Sequence, residues 1–92
     1  MLGDKRFEVE YLSSVVKEDI PSLGRTKALL KQAIEERLMI DPIAFGKPLQ
    51  YSLKGDRSLR VDNYRIVYSI DIKTYTVLIV AIKHRKDVYK RV

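Results

Sequence analysis

The carboxyl-terminal half of the chain contains three consecutive stretches with the composition of β-strands, 57–61, 64–71 and 75–83. Only a few residues separate one stretch from the next, whereas a parallel connection needs a crossover of a dozen residues or more. The three stretches therefore predict an antiparallel meander. The third is apolar on both faces, which is typical of a central, covered strand.

The amino-terminal segment predicts a further strand. Phe7, Val9 and Tyr11 alternate with Glu8 and Glu10, so one face is apolar and the other is charged. A period of two is that of a half-buried strand, and the two glutamates favour a place at the edge of the sheet.

Between these strands the spacing of apolar residues predicts a pair of helices. A short helix is expected near Val15, interrupted by Pro21 and ended by Gly24. A longer helix is predicted over 26–40, where apolar residues form one broad stripe and good helix formers fill the rest. Pro42 ends it, because the residue before proline avoids the helical region. The short connection between the helices favours an antiparallel hairpin.

These elements predict an α+β domain that spans residues 1–92 as a single unit. The predicted order is an N-terminal strand, a two-helix hairpin, a loop over 42–55, and the three-stranded antiparallel meander that completes a four-stranded sheet. A short helical tail is expected after residue 84. With the helices on one face, the other face of the sheet stays open to a ligand.

Several classes of site are excluded by residue types that the sequence lacks. The 92 residues contain no cysteine and one histidine, His84, so thiolate nucleophiles and paired-histidine metal sites are ruled out. No glycine-rich phosphate loop or GxSxG turn is present. We therefore expect no metal, no cofactor and no small-molecule coenzyme. No stretch has the length and apolarity of a membrane span, which predicts a cytoplasmic protein without a membrane partner.

The net charge of +6 favours a polyanionic partner. The cations are concentrated in the second half of the chain, as is typical of proteins that bind RNA or DNA. The predicted RNA-binding residues are Lys54, Arg57, Arg60, Lys83, Lys86 and Lys90. Basic residues that serve solubility alone are the alternative interpretation.

Arg65 has a distinctive place in the second strand of the meander. Tyr64, Ile66 and Tyr68 share one face of that strand, so Arg65 lies on the opposite one. An arginine on the open face is positioned to meet a phosphate with its planar fork. An exposed arginine that only keeps the sheet soluble is equally compatible with the pattern.

Basic side chains of this kind are able to cleave RNA without a metal, because the RNA provides its own nucleophile, the 2′-hydroxyl. Arginine suits the stabilisation of the charged phosphorane. The proton transfers need a group that titrates near neutrality, and His84 is the first candidate. Tyr89, Lys83 or Lys86 are alternatives if neighbouring cations lower the pKa of the side chain. A strand-end histidine without a catalytic role remains the other interpretation of His84.

Two motifs, with a shorter stretch at 47–55, resemble the core pattern of the RelE/ParE toxin superfamily. One is residues 59–68, LRVDNYRIVY, and the other is residues 81–89, AIKHRKDVY. The resemblance covers nearly the whole chain and is weakest in the N-terminal helices. It implies the same order of elements as the hydrophobic pattern.

The resemblance also implies a function. It suggests the toxin of a type II toxin–antitoxin system, and more specifically an endoribonuclease that cuts mRNA in the A site of the 70S ribosome and so inhibits translation. By position in the motifs, Arg65 resembles the arginine that stabilises the transition state. Arg85 matches a second phosphate-contacting arginine, and Tyr89 matches a tyrosine that orients the substrate or exchanges a proton. An acidic, largely disordered antitoxin is the implied partner, and it would fold on contact with the basic surface.

One departure from the family pattern keeps two alternatives open. RelE-type enzymes often have two lysines on the strand before the Tyr-Arg pair, and here the matching positions are Asp56 and Ser58. A catalytically weakened, RNA-binding relative is therefore one alternative. A ParE-like toxin that inhibits DNA gyrase by protein binding is the other, although binding alone does not require Arg65, Arg85 and Tyr89 together.

Overall fold

A computed structural model of the chain describes residues 6–50 and 55–86. The strands of its sheet are β1 Glu8–Tyr11, β2 Lys47–Pro48, β3 Arg57–Val61, β4 Tyr64–Asp71 and β5 Thr76–His84. The helices with regular α geometry are α1 Lys27–Ala33 and α2 Pro42–Phe45. The predicted α+β class is confirmed.

Over residues 6–50 and 55–86 the sheet has five strands in the order β1-β5-β4-β3-β2, so the prediction of four strands was wrong. The additional strand, β2, pairs antiparallel with β3 inside the segment predicted to be a loop. It contains two residues, one of them proline. So short a strand has no periodicity that a sequence pattern can reveal.

The first strand lies at the edge of the sheet, as predicted, but its partner is the last strand of the chain. β1 runs parallel to β5, with Glu8 opposite Thr76 and Tyr11 opposite Ile79. The meander of β3, β4 and β5 is antiparallel, as its short turns require. The sheet is therefore mixed. The parallel pairing arises because the helices carry the chain from β1 back across one face of the sheet.

The helical hairpin follows the predicted breaks closely. Val15–Asp19 forms wide π-type turns, and Pro21–Thr26 forms a tighter 3-10 segment. Gly24 has φ +58°, a left-handed conformation that glycine adopts without steric cost. The chain then enters α1, which continues through a second π-type segment, Ile34–Leu38.

The core lies between these helices and one face of the sheet. Ile66, Tyr68, Val77 and Ile79 are fully buried on the sheet side, and the helices contribute residues such as Leu30. The other buried apolar residues are Phe7, Val15, Leu23, Ala33, Ile34, Leu38, Leu59, Val61 and Ile82. The opposite face of β4, which carries Arg65, is only partly covered.

Some predicted features fall outside the described residues. These are the helical tail over 87–92, with Tyr89 and Lys90, and the loop residue Lys54. At the end of β5 the described chain continues into Arg85 and Lys86, which have helical geometry. In the part of the chain that the structure describes, no helix is long and apolar enough to cross a membrane.

A partly buried polar cluster fixes the segment around α2 against the sheet. The Tyr68 hydroxyl donates to the carbonyl of Pro42 at 2.6 Å, and the Arg57 guanidinium donates to the carbonyls of Ile43 and Gly46 at 2.7 and 2.8 Å. Burial raises the pKa of the Tyr68 phenol, so the ring stays a hydrogen-bond donor. A Cβ at Gly46 would overlap the Tyr68 hydroxyl.

The close approach at Gly46 predicts a specific sensitivity to substitution. Gly46→Ala is expected to lower the free energy of unfolding by about 1–3 kcal/mol, the usual cost of overpacking a well-filled site. In a Tyr68→Phe background the same substitution is expected to cost less, because the hydroxyl that the methyl group meets is gone. Chemical denaturation of the four proteins measures both costs. An equal loss in the two backgrounds would show that the cost does not come from the Tyr68 hydroxyl.

Candidate functional site

Three cations lie in one row across the open face of the sheet. The register places Arg60 of β3 opposite Arg65 of β4, and Arg65 opposite Lys83 of β5. Directly opposed residues of antiparallel strands project to the same face, with Cβ atoms roughly 4.5–5.5 Å apart. We call Arg60, Arg65 and Lys83 the basic row.

The alternation of each strand explains why these side chains avoid the core. Arg60 lies between Leu59 and Val61, which are both buried, so its own side chain must project to the other face. Arg65 likewise precedes the buried Ile66, and Lys83 follows the buried Ile82. Arg60 and Lys83 are exposed and Arg65 is half-buried.

The two arginines of the row have no carboxylate partner within residues 6–50 and 55–86. Like charges placed directly opposite one another destabilise a sheet. A bound polyanion removes this repulsion, because each arginine fork donates hydrogen bonds to the oxygens of a phosphate. The row is therefore arranged for an anionic ligand that spans adjacent strands.

Charge changes sign along the open face. At the other end of the strands, Glu10 of β1 lies opposite Leu78, which lies opposite Ser69. From Arg65 to Ser69 the strand advances by about 13 Å, four residues at roughly 3.3 Å each. Glu8 and Asp71 lie still farther from the row. A polyanion is thus attracted to one end of this face and repelled from the other.

The structure places His84 apart from the basic row. His84 is the cross-strand partner of Tyr64, so its ring lies on the opposite face from Arg65. It packs edge-on against the Tyr64 ring, with 5.0 Å between centroids. Its Nδ1 accepts the Lys86 backbone N–H at 3.1 Å, so the neutral ring carries its proton on Nε2.

Arg85 is brought close to the row through its backbone. The Arg85 N–H donates to the carbonyl of Asn63 at 2.8 Å, which ties the end of β5 to the turn between β3 and β4. Arg60 and Arg65 flank that same turn. Arg85 and Lys86 are both exposed.

Arg57, another predicted RNA-binding residue, makes structural contacts within the protein. It lies opposite Tyr68, on the core-facing side of β3, and its guanidinium is bound to the carbonyls of Ile43 and Gly46. The structure therefore does not bring Arg57 together with the basic row. Its contacts link β3 to the α2 segment.

Asp19 is a buried carboxylate whose partners lie on the last strand of the sheet. The residue is 8% exposed, and its carboxylate accepts the Ile82 backbone N–H at 2.9 Å and the Lys83 ammonium at 2.8 Å. More than sixty residues separate Asp19 from these partners in the chain. No local sequence signal reports a contact of that range.

A second surface feature lies between the helices and β1, on the other side of the sheet. It is an open apolar groove of about 430 Å³, a volume in the range of ligand sites. Its lining combines buried core residues with Lys27, Lys31 and Glu35. Burial, and then the Glu35 charge, raise the pKa of Tyr11 in this groove. Among the described residues, no group of histidine, aspartate and glutamate is arranged to hold a metal ion.

Sequence comparison relates the chain to toxins of toxin–antitoxin systems. Residues 12–89 match the model of the family described as ParE toxin of type II toxin-antitoxin system, parDE. Toxin RelG of Mycobacterium tuberculosis is 43% identical over 51 residues, 55% of this chain and 59% of RelG. Toxin RelE of the same organism is 40% identical over 53 residues, 58% of this chain and 55% of that toxin. The chain thus spans little more than half the length of these curated relatives.

Comparison of structures gives the same relationship over most of the chain. The toxin–antitoxin complex RelBE2 of Mycobacterium tuberculosis matches with a TM-score of 0.80 at 30% identity, over 88% of this chain and 93% of the matched one. The archaeal RelE–RelB complex of Pyrococcus horikoshii matches with a TM-score of 0.67 at 23% identity, over 86% and 94%. The isolated Escherichia coli RelE toxin matches with 0.68 at 19%, over 92% and 97%. The last two show the fold alone.

Proposed function

The chain belongs to the RelE/ParE superfamily of type II toxin–antitoxin toxins, and we propose that within it the protein is a RelE-type endoribonuclease. Its substrate is mRNA in the A site of the 70S ribosome, and its action inhibits translation in the cytoplasm. The basic row is the observation that carries this proposal, because its two arginines face outward side by side and have no carboxylate partner among the residues that the structure describes.

The proposed reaction needs only the RNA and the protein's own side chains. The 2′-oxygen attacks the adjacent phosphorus, the new O2′–P bond forms and the P–O5′ bond breaks. The products are a 2′,3′-cyclic phosphate and a free 5′-hydroxyl. Arg65 stabilises the added negative charge on the phosphorane, which is the usual role of a fixed cation at a developing charge. Arg60 and Arg85 hold the flanking phosphates.

Two proton transfers complete the reaction. Because Nδ1 of His84 accepts the Lys86 N–H, its Nε2–H is the available donor. To protonate the leaving 5′-oxygen, the ring must first become an imidazolium by taking up a proton at Nδ1 in place of that hydrogen bond, because a neutral imidazole does not release its N–H proton. The substrate must also reach the His84 side of the β5 terminus. We assign removal of the 2′ proton to Tyr89 or Lys86, since Lys83 is bound to Asp19 and Asp56 and Ser58 replace the lysines typical of the family.

We also propose that an acidic antitoxin neutralises the protein. Two of the similar structures are complexes of a RelE-type toxin with its RelB partner. The apolar groove beside β1 fits one side of an amphipathic segment, and Lys27 and Lys31 at its rim favour an acidic one. A segment that continues from the groove toward the end of β5 would approach the basic row.

Inhibition of DNA gyrase is the second candidate function. The matching family model is that of the ParE toxins, and the fold is compatible with either activity. Gyrase inhibition would proceed by protein binding and would not require a row of unpaired arginines. The two functions therefore predict different results for the same variant.

Loss of the arginines is expected to abolish mRNA cleavage in cells. Induction of the wild-type chain is expected to create new mRNA 5′ ends in coding regions with a codon-phase bias. The Arg65→Ala plus Arg85→Ala variant is expected to lose at least 100-fold of that signal, by analogy with the loss of a single transition-state donor. Sequencing of mRNA 5′ ends measures the effect.

Arg25→Ala is the matched control, because Arg25 is also exposed but lies on the helical hairpin. It is expected to cleave like the wild type. Growth arrest with intact mRNA would instead support gyrase inhibition. If neither growth nor mRNA changes, the protein is a weakened relative, and lysine at positions 56 and 58 becomes the next test.

Charge reversal at the groove is expected to weaken antitoxin binding. The double variant Lys27→Glu, Lys31→Glu reverses both rim cations, and we expect a loss of at least tenfold in affinity for the antitoxin encoded beside the toxin. Lys17→Glu with Lys73→Glu makes the same charge change at exposed sites away from the groove. Calorimetric titration of both variants compares them. Equal losses would show that net charge alone, and not the groove, governs binding.

A further inference from the structure

The end of β5 is held by a side chain in place of a neighbouring strand. β1 pairs with β5 only as far as Ile79, and the last backbone contact on that side is the Leu12 N–H to the Ile79 carbonyl at 3.1 Å. Beyond this point the edge of β5 would leave its N–H groups without partners. The Asp19 carboxylate fills the gap by accepting the Ile82 N–H at 2.9 Å.

The same carboxylate determines where the Lys83 ammonium lies. One Asp19 oxygen accepts from Ile82 and the other from Lys83, at 2.8 Å. Because the Ile82 N–H points outward in the plane of the sheet, the ammonium is drawn to the β5 edge and away from Arg65. The Lys83 side chain remains 47% exposed, while that of Asp19 is 9% exposed.

This geometry divides the basic row into cations of two kinds. Arg60 and Arg65 have no carboxylate partner in the described part of the chain, whereas the charge of Lys83 is balanced by a carboxylate that the fold holds in place. Moving Asp19 to release the lysine would also break the Ile82 hydrogen bond. A phosphate arriving at the row therefore meets two free cations and one neutralised cation.

We propose that Asp19 is a positioning residue that sets the affinity of the basic row for RNA, because it keeps Lys83 paired at the edge of β5. The inference rests on the proposed function in that single-stranded RNA is the ligand. Arg60 and Arg65 bind the phosphates, and Lys83 does not contribute while Asp19 is present. The row thus binds RNA less tightly than its three cations would allow.

The test measures binding separately from cleavage. A fluorescent single-stranded RNA oligomer with 2′-O-methyl groups lacks the nucleophile and is not cut. Its affinity is measured by fluorescence anisotropy over a range of salt concentrations for the wild type, Asp19→Asn, Lys83→Gln and the double variant. Asparagine keeps an oxygen for the Ile82 N–H but loses the charge. Glutamine keeps a donor for Asp19.

Of the four proteins, only Asp19→Asn is expected to change the salt dependence of binding. Asp19→Asn is expected to bind the oligomer several-fold more tightly and to steepen the slope of log affinity against log salt by about 0.7, the value for one additional phosphate contact on a single strand. Lys83→Gln is expected to keep the wild-type slope. The double variant is expected to return to it, which a merely structural role of Asp19 would not produce.

Three results would overturn the proposal. One is a slope about 0.7 shallower in Lys83→Gln, which would mean that Lys83 contacts RNA despite its carboxylate. Another is an unchanged slope in Asp19→Asn while the Ile82 amide keeps its protection from hydrogen exchange. The third is no binding by the wild type at any salt concentration. If Asp19→Asn does not fold, the salt slope of Lys83→Gln alone decides whether the proposal stands. If the four proteins bind the oligomer as expected but no mRNA is cleaved in cells, only the proposed nuclease function is refuted.

Discussion

The register between β3, β4 and β5 is the constraint on which the site depends. It places Arg60, Arg65 and Lys83 in one row, while the intervening residues enter the core. A slip of one residue in any strand would turn its cation toward the helices and its apolar residues toward solvent. The burial of Ile66, Val61 and Ile82 therefore orients the charged side chains as strongly as any contact of their own.

Two polar anchors hold this register, one on the β3 side of the sheet and the other at the outer edge of β5. Tyr68 and Arg57 bind carbonyls of the α2 segment and fix it over β3 and β4. Asp19 closes the edge of β5 where β1 ends. The Tyr68 hydroxyl and the Ile82 N–H are buried polar groups that these bonds satisfy and that would otherwise destabilise the fold. The open face is left to the charges: cations at the end with Arg65 and carboxylates at the end with Glu10.

The structural features that depend on local periodicity were predicted from the sequence. The meander, the breaks at Pro21 and Gly24 and the placement of Arg65 opposite the apolar face follow from alternation and from backbone preferences. The parallel β1–β5 pairing, the strand β2 and the burial of Asp19 did not follow, since each depends on contacts between distant parts of the chain. For the same reason Arg57 was grouped with the RNA-binding cations, although its hydrogen bonds go to α2.

The most direct test of the account is a map of where RNA touches the folded protein. NMR spectra of the backbone amides and arginine side chains, recorded during titration with a 2′-O-methyl RNA oligomer, report every contacted residue. We expect shifts concentrated at Arg60, Arg65 and the turn between them, with little change at Arg57 or at Glu10. Shifts centred instead on the groove beside β1, or spread evenly over all cations, would contradict the assignment of the open face as the RNA site.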